Sequence, residues 1–315
     1  MTLPAAGPGV LLVDTGHLRE RAVAAYIVKG KRGAAVVETG TAPTVPRLLA
    51  AIAGAGLAPE DVSHVIVTHV HLDHAGGAGA LLARLPRAKL VAHPRGVRHL
   101  VDPSRLVAGA SSVYGEAAFR EHYGEVVPAP ASRVVEAPDG FVLDLGSRPL
   151  RFLDAPGHAR HHFVVVDPTS RGVFTGDAFG LAYGEAAAPG RPFLFPTTTP
   201  VQFDPPALHA TIDRILGARP GRLYLTHFGA IEGDLAAAAA SLHRSIDAHV
   251  QIARSAPSGA GRHEAIRSSL EALLVRSLAD HGSPLAGEAA LAVFGVDLEL
   301  NAQGLGVWLD STAEA

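Results

Sequence analysis

The sequence predicts an α/β protein of the α+β kind, in which strands and helices are followed by a helical region. Runs of β-branched residues bounded by Gly and Pro predict the strands. Apolar residues at helical spacing between these runs predict the helices, and this spacing predominates after residue 232. With 315 residues, of which 48% are hydrophobic, the chain can bury a substantial core.

The elements follow one another in a regular order. Apolar runs predict strands at residues 10–13, 25–28, 34–37, 65–67, 89–92, 134–135, 141–145, 150–153, 163–166, 172–174 and 223–225. Helical spacing predicts helices at 45–53, 76–85, 205–216, 235–252 and 266–278, and a mostly helical insert at about 97–123. We expect a catalytic domain over residues 1–232 and a helical C-terminal region over 233–315.

The composition excludes several classes of protein. Lys and Arg number 27 against 30 Asp and Glu, so the chain lacks the basic balance of a nucleic-acid binder. The absence of cysteine excludes disulfides, thiolate ligands and cysteine nucleophiles. No apolar segment approaches the roughly 20 residues of a spanning helix, and residues 1–10 do not have the pattern of a signal peptide. We therefore expect a cytoplasmic protein without a nucleic-acid or membrane partner.

Histidine is abundant, with 17 residues, and four chemically useful side chains stand together in the segment His69-Val70-His71-Leu72-Asp73-His74. This HxHxDH segment directly follows a predicted strand. Side chains at i and i+2 of an extended chain project to the same side, so His69 and His71 can share one ion. Asp73 and His74 follow where the chain turns into a helix. Imidazole and carboxylate donors suit zinc, iron or manganese.

Three more candidate ligands follow predicted strands further along the chain. His158 stands in a Pro-Gly-His turn, Asp177 in a Gly-Asp turn, and His227 after the strand at 223–225. We expect these side chains to converge with the HxHxDH segment at the ends of their strands, since a metal site is best built on rigid elements.

These motifs, in this order, resemble those of the metallo-β-lactamase superfamily, and within it the glyoxalase II and lactonase-like metallohydrolases. The resemblance implies a four-layer αββα sandwich with added C-terminal helices. It implies that His69, His71 and His158 bind one ion, and that Asp73, His74 and His227 bind another. Asp177 would bridge the two ions, which are taken to be Zn²⁺, with iron or manganese as alternatives.

The resemblance also implies hydrolysis of a small ester-like substrate, such as a lactone or a thioester, by a metal-bridging hydroxide. Asp73 would act as the catalytic residue that receives a proton. An alternative in the same fold is a mononuclear iron sulfur dioxygenase. Antibiotic lactam hydrolysis is disfavoured by Asp177 and by the missing signal peptide, and a nuclease by the missing basic surface.

Residues behind the ligands are also suggested by the resemblance. The family usually has an Asp-Thr-Gly segment before the first histidine, and the matching position here reads Glu38-Thr39-Gly40. Asp14-Thr15-Gly16 has all three of the family's residues, but it lies on an earlier strand. We therefore favour Glu38. His162 matches a second histidine of the Pro-Gly-His turn, and Tyr183 lies near the place of a tyrosine that assists lactone opening.

Other features leave alternatives open. The insert aromatics Tyr114, Phe119 and Tyr123 either form an apolar substrate wall or pack as ordinary helix residues. The C-terminal helices either pack on the sandwich or form a homodimer interface. The histidines of the C-terminal region are expected to be exposed, namely His243, His249, His263 and His281.

Overall fold

The computed structural model describes residues 3–199 and 201–313, apart from the side chains of residues 113, 114 and 313. The chain divides into two compact units. The first contains Met1–Asp154, His161–Gly176 and Arg219–Ala230, and the second contains Ala155–Arg160, Asp177–Ala218 and Ile231–Ala315. The domain boundary that the sequence places near residue 232 stays a prediction.

One mixed sheet has seven strands in chain order: β1 Ala5–Gly7, β2 Val10–Asp14, β3 Ala24–Gly30, β4 Gly33–Val37, β5 Val62–Ile66, β6 Lys89–Ala92 and β7 Val134–Glu136. The first four strands pair antiparallel. The strands from β4 to β7 pair in parallel. Parallel strands need crossover connections, and helices supply them in this part of the chain.

The second mixed sheet has six strands: β8 Val142–Asp144, β9 Pro149–Asp154, β10 Phe163–Asp167, β11 Gly172–Gly176, β12 Arg222–Leu225 and β13 Gly229–Glu232. Their order is β13-β12-β11-β10-β9-β8. Strands β8 to β11 pair antiparallel, and β11 pairs with β12 in parallel.

The two sheets of the first unit share an apolar core. Strand β3 is buried on both faces: Tyr26 belongs to the core shared with the second sheet, and Ile27 to the core on the helical side. Alternate residues of a strand face opposite sides, which explains this division. The Tyr26 ring lies 5.3 Å from that of Phe174 and 5.4 Å from that of Tyr224, both in the second sheet.

Six helices accompany the first sheet: α1 Val45–Gly54, α2 Leu72–Ala75, α3 Ala78–Arg84, α4 Pro94–Val101, α5 Ser104–Tyr114 and α6 Glu116–Tyr123. The last three make the insert helical, as expected. The helix predicted at 76–85 starts later, at Ala78. Gly77 lies so close to the backbone that an added Cβ would be 2.9 Å from the Thr39 carbonyl oxygen.

The second unit holds the helices α7 Pro205–Gly217, α8 Leu235–Ser255, α9 Arg262–His281 and α10 Gly287–Ala313. Asp204 and Asp234 cap α7 and α8 by accepting hydrogen bonds from Ala207 N and Ala237 N. In the described part of the chain, no helix combines the length and apolar character needed to cross a membrane.

The expectation that His249 is exposed is wrong. His249 is fully buried on α8, on the same stripe as Leu242 and Ile246. Its Nδ1 donates a hydrogen bond of 2.7 Å to the Ser245 carbonyl, and its ring lies 5.1 Å from that of Phe195. The stripe recurs every three or four residues, so His249 faces the core of this unit as an apolar residue would.

Candidate metal centre

The HxHxDH segment lies between a strand and a short helix. Strand β5 ends at Ile66, and α2 begins at Leu72. His69 is buried and His71 half-buried, with ring centroids 4.4 Å apart. The two rings lie side by side although the strand ends three residues before His69 and the chain bends at residues 68 and 69.

A second group lies within the first unit. The side chains of Asp73, His74 and His227 offer three donor atoms within 4.8 Å of one another. Asp73 Oδ2 is 3.4 Å from His74 Nε2 and 3.2 Å from His227 Nε2. His74 and His227 are buried, and the Asp73 side chain is 27% exposed. This group is therefore a compact set of donors in which the Asp73 carboxylate is partly exposed to solvent.

Glu38 lies behind this group and is buried. Its Oε1 accepts hydrogen bonds from His74 Nδ1 and Thr226 Oγ1, both at 3.2 Å, and from the Thr68 hydroxyl. The same Thr68 hydroxyl lies 3.1 Å from His69 Nδ1 and can accept its proton. Glu38 thus orients His74 directly and His69 through Thr68.

The backbone at Glu38 has a φ of +65°, which is uncommon for a residue with a side chain. Such conformations concentrate at functional sites. The next residue, Thr39, donates from its hydroxyl to the His74 carbonyl at 2.8 Å. Asp14, in contrast, accepts from the backbone N–H groups of Gly16 and Arg21 at 3.0 and 2.9 Å. Of the two alternatives, Glu38 is the one whose contacts with a candidate ligand are observed.

The second unit holds the other predicted pair. His158 Nε2 lies 3.4 Å from Asp177 Oδ2, and both residues are buried. Thr197 connects them from behind: its Oγ1 accepts from His158 Nδ1 at 3.0 Å and donates to the Asp177 carbonyl at 3.1 Å. Sequence reasoning did not identify Thr197, because nothing local distinguishes it from its threonine neighbours.

The Pro-Gly-His turn that carries His158 requires its glycine. Gly157 has a φ of +123°, and an added Cβ would lie 2.3 Å from the Leu208 backbone nitrogen of α7. Its carbonyl accepts from Asp204 N at 2.8 Å. The close approach to α7 therefore holds this turn in place.

Two neighbouring histidines of the first unit lie beside His69. The His162 ring is 4.8 Å from that of His69, and the His161 ring is 6.3 Å away and parallel to it. Gly176 makes room for His162: an added Cβ would meet His162 Nε2 and Thr68 Oγ1 at 2.5 Å. The predicted role of His162 is compatible with this position and stays a prediction.

His17 is a residue near the centre that sequence reasoning did not identify. It is buried, and burial lowers its pKa to about 4, while the Asp73 carboxylate partly opposes this shift. Its ring lies 5.6 Å from that of Tyr123 on α6. The one signal for it in the sequence is its place directly after the Asp14-Thr15-Gly16 segment.

The remaining predicted aromatics are distributed as follows. Tyr183 is buried, and its hydroxyl lies 3.4 Å from Asp297 Oδ1 on α10. Phe119 is buried and stacks on the half-buried Tyr123 at 5.3 Å. The side chain of Tyr114 is outside the described residues. The roles suggested for these residues stay predictions.

The donor set suits a borderline divalent ion. The candidate donors are imidazole nitrogens and carboxylate oxygens, the ligands preferred by zinc, iron and manganese. His74, His158 and His227 each donate from Nδ1, to Glu38, Thr197 and the Ala22 carbonyl respectively. Their Nε2 atoms therefore keep a lone pair, as metal-binding histidines with an oriented ring do.

Comparison with known proteins identifies the family. The model of the metallo-β-lactamase superfamily matches residues 18–227, which is more than half of the chain. This chain belongs to the metallo-β-lactamase superfamily. The superfamily assignment made from the motifs is confirmed, and so is an α+β fold with C-terminal helices.

Several members of the superfamily are similar to this chain in sequence. The metallo-β-lactamase fold-containing protein ST1585 from Sulfurisphaera tokodaii is 26% identical over 176 residues. These residues cover 55% of this chain and 62% of that protein. A hydroxyacylglutathione hydrolase from Cupriavidus taiwanensis is 34% identical over 199 residues, covering 62% of this chain and 58% of the relative. The chain thus matches less than two thirds of either relative's length.

Solved structures of the superfamily share the fold over nearly the whole chain. A superfamily protein, TTHA1429 from Thermus thermophilus, has a TM-score of 0.65 at 22% identity, covering 98% of this chain and 95% of that one. The crystal structure of ST1585 has a TM-score of 0.63 at 19% identity, covering 96% and 99%. At these identities the likeness establishes the fold alone.

Proposed function

We propose that this metallo-β-lactamase-fold protein is a dinuclear metallohydrolase of a small ester-like substrate, such as a lactone or a thioester. The observation that carries the proposal is the shared orientation of His74, His158 and His227. Each holds a proton on Nδ1 through a neighbouring oxygen, so that Nε2 is available to a metal. A relative named hydroxyacylglutathione hydrolase, at 34% identity, supports hydrolysis.

The proposed ligands follow the motifs. His69, His71 and His158 would hold one ion, Asp73, His74 and His227 the other, and Asp177 would bind both. We propose Zn²⁺ for both ions, with iron or manganese as alternatives. When bound, such ions would lower the pKa of a bound water to about 7 and would polarise the carbonyl oxygen of a substrate.

The residues of the chain have distinct proposed roles. Glu38 accepts the Nδ1 proton of His74 and keeps that ring aligned, and Thr197 does the same for His158. Asp73 faces two histidines with Oδ2, and its partly exposed carboxylate receives the proton released when water attacks the substrate. Asp73 is thus the proposed catalytic residue.

The surroundings of the protein are also part of the proposal. We propose that it acts in the cytoplasm on a small molecule, without a nucleic-acid or membrane partner. The C-terminal helices α8 to α10 are proposed to form the interface of a homodimer. Sedimentation of the purified chain tests this last point, since a monomeric mass would contradict it.

The decisive experiment is the metal content per chain of protein purified without added metal, followed by a panel of lactones and thioesters. About two zinc or other divalent ions per chain, with hydrolysis lost in His227→Ala, would support the proposal. About one iron per chain, with oxygen consumed in the presence of a persulfide, would replace it by the sulfur dioxygenase alternative. Hydrolysis that is unchanged in His227→Ala would contradict the proposed site.

A further inference from the structure

We propose that Asn301 and Gly304 of α10 are positioning residues of the candidate metal centre, an inference that rests on the proposed function because it takes His158 as a metal ligand. The two residues hold the threonine segment, which is residues 196–199 with the sequence Pro-Thr-Thr-Thr. This segment carries Thr197, whose hydroxyl orients the His158 ring. All of these residues belong to the second unit. Helix α10 would thus be part of the metal centre.

The side-chain amide of Asn301 binds the peptide groups on both sides of Thr197. Its Oδ1 accepts a hydrogen bond from Thr198 N at 2.7 Å, and its Nδ2 donates to the Pro196 carbonyl at 2.9 Å. The first group belongs to the peptide after Thr197, and the second to the peptide before it. Since φ and ψ are the only soft backbone dihedral angles of a residue, holding both peptide planes fixes the backbone of Thr197. The direction in which its side chain leaves the backbone is then fixed as well.

The hydroxyl of Thr197 makes two contacts within the candidate centre. It accepts a hydrogen bond from His158 Nδ1 at 3.0 Å and donates one to the Asp177 carbonyl at 3.1 Å. One oxygen serves as acceptor and donor, so both bonds require it at one place and in one orientation. A displacement of Thr197 therefore disturbs the His158 ring and the Asp177 backbone together. Asn301 thus acts on two proposed ligands through a single intermediate residue.

Asn301 occupies a position of α10 where an apolar residue would be expected. It is 1% exposed and lies on the same stripe of the helix as the fully buried Leu298 and Leu305. A buried amide lowers stability unless its hydrogen bonds are made. Here the amide is bonded to the threonine segment, and the Thr198 hydroxyl also donates to the Asn301 carbonyl at 3.2 Å. Leucine would serve packing alone, so the amide indicates that these polar contacts are required.

Gly304, three residues further along α10, allows the helix to approach the same segment. A Cβ added there would lie 1.7 Å from the Thr198 carbonyl oxygen, so any side chain would displace the helix or the segment. Glycine inside a helix is unfavourable compared with alanine, and its presence here therefore has a packing reason. At Gly306 of the same helix, in contrast, an added Cβ would meet no other segment of the described chain within 4 Å.

The same face of α10 contacts the loop that leads from β11 to the threonine segment. The Phe294 ring lies 5.4 Å from that of Phe195, and Asp297 Oδ1 lies 3.4 Å from the Tyr183 hydroxyl. Positions 294, 297, 301 and 304 are three or four residues apart and therefore share one face of the helix. Helix α10 thus holds this loop at several points, and not only at Thr197.

The first experiment observes His158 in metal-free protein and is therefore independent of the hydrolase proposal. Nitrogen-15 spectra of the histidine rings report the hydrogen bond at His158 Nδ1, and the signal is assigned by its absence from His158→Gln. We expect this signal to shift in Asn301→Ala. Gln303→Ala is the matched control and should leave it in place, because Gln303 Nε2 donates within α10, to Glu299 Oε1 at 2.8 Å. An unchanged signal in Asn301→Ala, or an equal shift in both variants, would overturn the proposal.

The second experiment measures Zn²⁺ affinity by competition with a chromogenic chelator. We expect Asn301→Ala to weaken one equivalent roughly tenfold, at the lower end of the loss caused by removing hydrogen-bond partners of metal ligands. Because Asn301 acts through Thr197, the double variant Asn301→Ala with Thr197→Val should bind as weakly as Thr197→Val alone. Losses that multiply in the double variant would overturn this route.

A pair of glycine variants tests the close approach of α10. We expect Gly304→Ala to shift the His158 signal and weaken Zn²⁺ binding, while Gly306→Ala leaves both unchanged and is at least as stable, since alanine favours a helix. Denaturant unfolding identifies a variant that fails to fold, and Asn301→Ala then decides the question. Equal behaviour of folded Gly304→Ala and Gly306→Ala would overturn the role of Gly304. An unmodified protein that binds no Zn²⁺ would contradict the hydrolase proposal, while the His158 signal would still decide whether α10 positions that ring.

Discussion

Glu38 Oε1 accepts a hydrogen bond from His74 Nδ1 at 3.2 Å, and the two residues are 0–1% exposed. This contact places a carboxylate directly behind a candidate metal ligand. It determines which nitrogen of His74 carries the proton, and therefore which nitrogen faces Asp73 and His227. In the second unit, the hydrogen bond between His158 Nδ1 and Thr197 Oγ1 has the same role.

Replacing Glu38 should weaken metal binding without removing a ligand. We expect Glu38→Gln to reduce Zn²⁺ affinity by roughly 10–100-fold, because the charged acceptor of the His74 proton is lost. Competition with a chromogenic chelator measures this affinity. Asp14→Asn is the control, since the Asp14 carboxylate accepts hydrogen bonds from the backbone N–H groups of Gly16 and Arg21. A deficit in Asp14→Asn with normal Glu38→Gln would show that the other strand supplies the supporting carboxylate.

Removing Asp177 should have a larger effect. We expect Asp177→Ala to lose at least one equivalent of metal and nearly all turnover, because this carboxylate is the proposed bridge between two ions. Element analysis and the hydrolase assay measure the two effects. Asp280→Ala, at an exposed position of α9, should leave both unchanged. Full metal content and activity in Asp177→Ala would exclude the bridging role.

Thr197 offers a test with a closely matched control. We expect Thr197→Val to weaken metal binding by roughly 10–100-fold, because His158 Nδ1 loses the hydroxyl that orients it. Thr199 has a buried hydroxyl without a hydrogen-bond partner among the described residues, so Thr199→Val should bind metal normally. Equal behaviour of the two variants would show that Thr197 does not position His158.

The insert can be tested for its two alternative roles. Phe119 is buried, so Phe119→Ala should lower the free energy of unfolding by about 3 kcal/mol. Tyr123 is half-buried and lies beside His17, so Tyr123→Ala should raise KM with a smaller loss of stability. Denaturant unfolding and steady-state kinetics separate the two effects. An unchanged KM in Tyr123→Ala would leave the insert with a packing role.

His249 should make stability depend on pH. Burial lowers its pKa from 6.5 to about 4 in the folded chain. Between pH 4 and pH 6.5 the unfolded chain binds a proton on this histidine and the folded chain does not. The stability that depends on a neutral His249 is therefore complete above pH 6.5 and is lost as the pH falls toward 4. From pH 7 to pH 5 the loss is about 2 kcal/mol. We expect His249→Leu to lose less stability than the unmodified protein over this range, measured by denaturant unfolding. Parallel pH curves for the two proteins would contradict this.

Much of the fold and of the candidate site could be predicted from local patterns. The helix at 45–53 and the apolar stripe of Ile266, Leu270, Leu274 and Leu278 depend on periodicity, which is read within one segment. The HxHxDH segment places four donors within six residues after a strand, so its chemistry could be recognised from spacing alone. The start of α3 at Ala78, rather than at residue 76, could not be predicted in this way. Gly77 packs closely against Thr39, which lies in a distant segment of the sequence.

The sequence by itself determined the fold class, the superfamily and the types of donor atom, because strand and helix periods and short motifs are properties of neighbouring residues. Only the tertiary structure decided that Glu38 rather than Asp14 contacts His74, that Thr197 contacts His158, and that His249 is buried. Each of these relationships joins or buries side chains through the packing of separate elements, and packing depends on shape and distance in three dimensions, which no local spacing encodes.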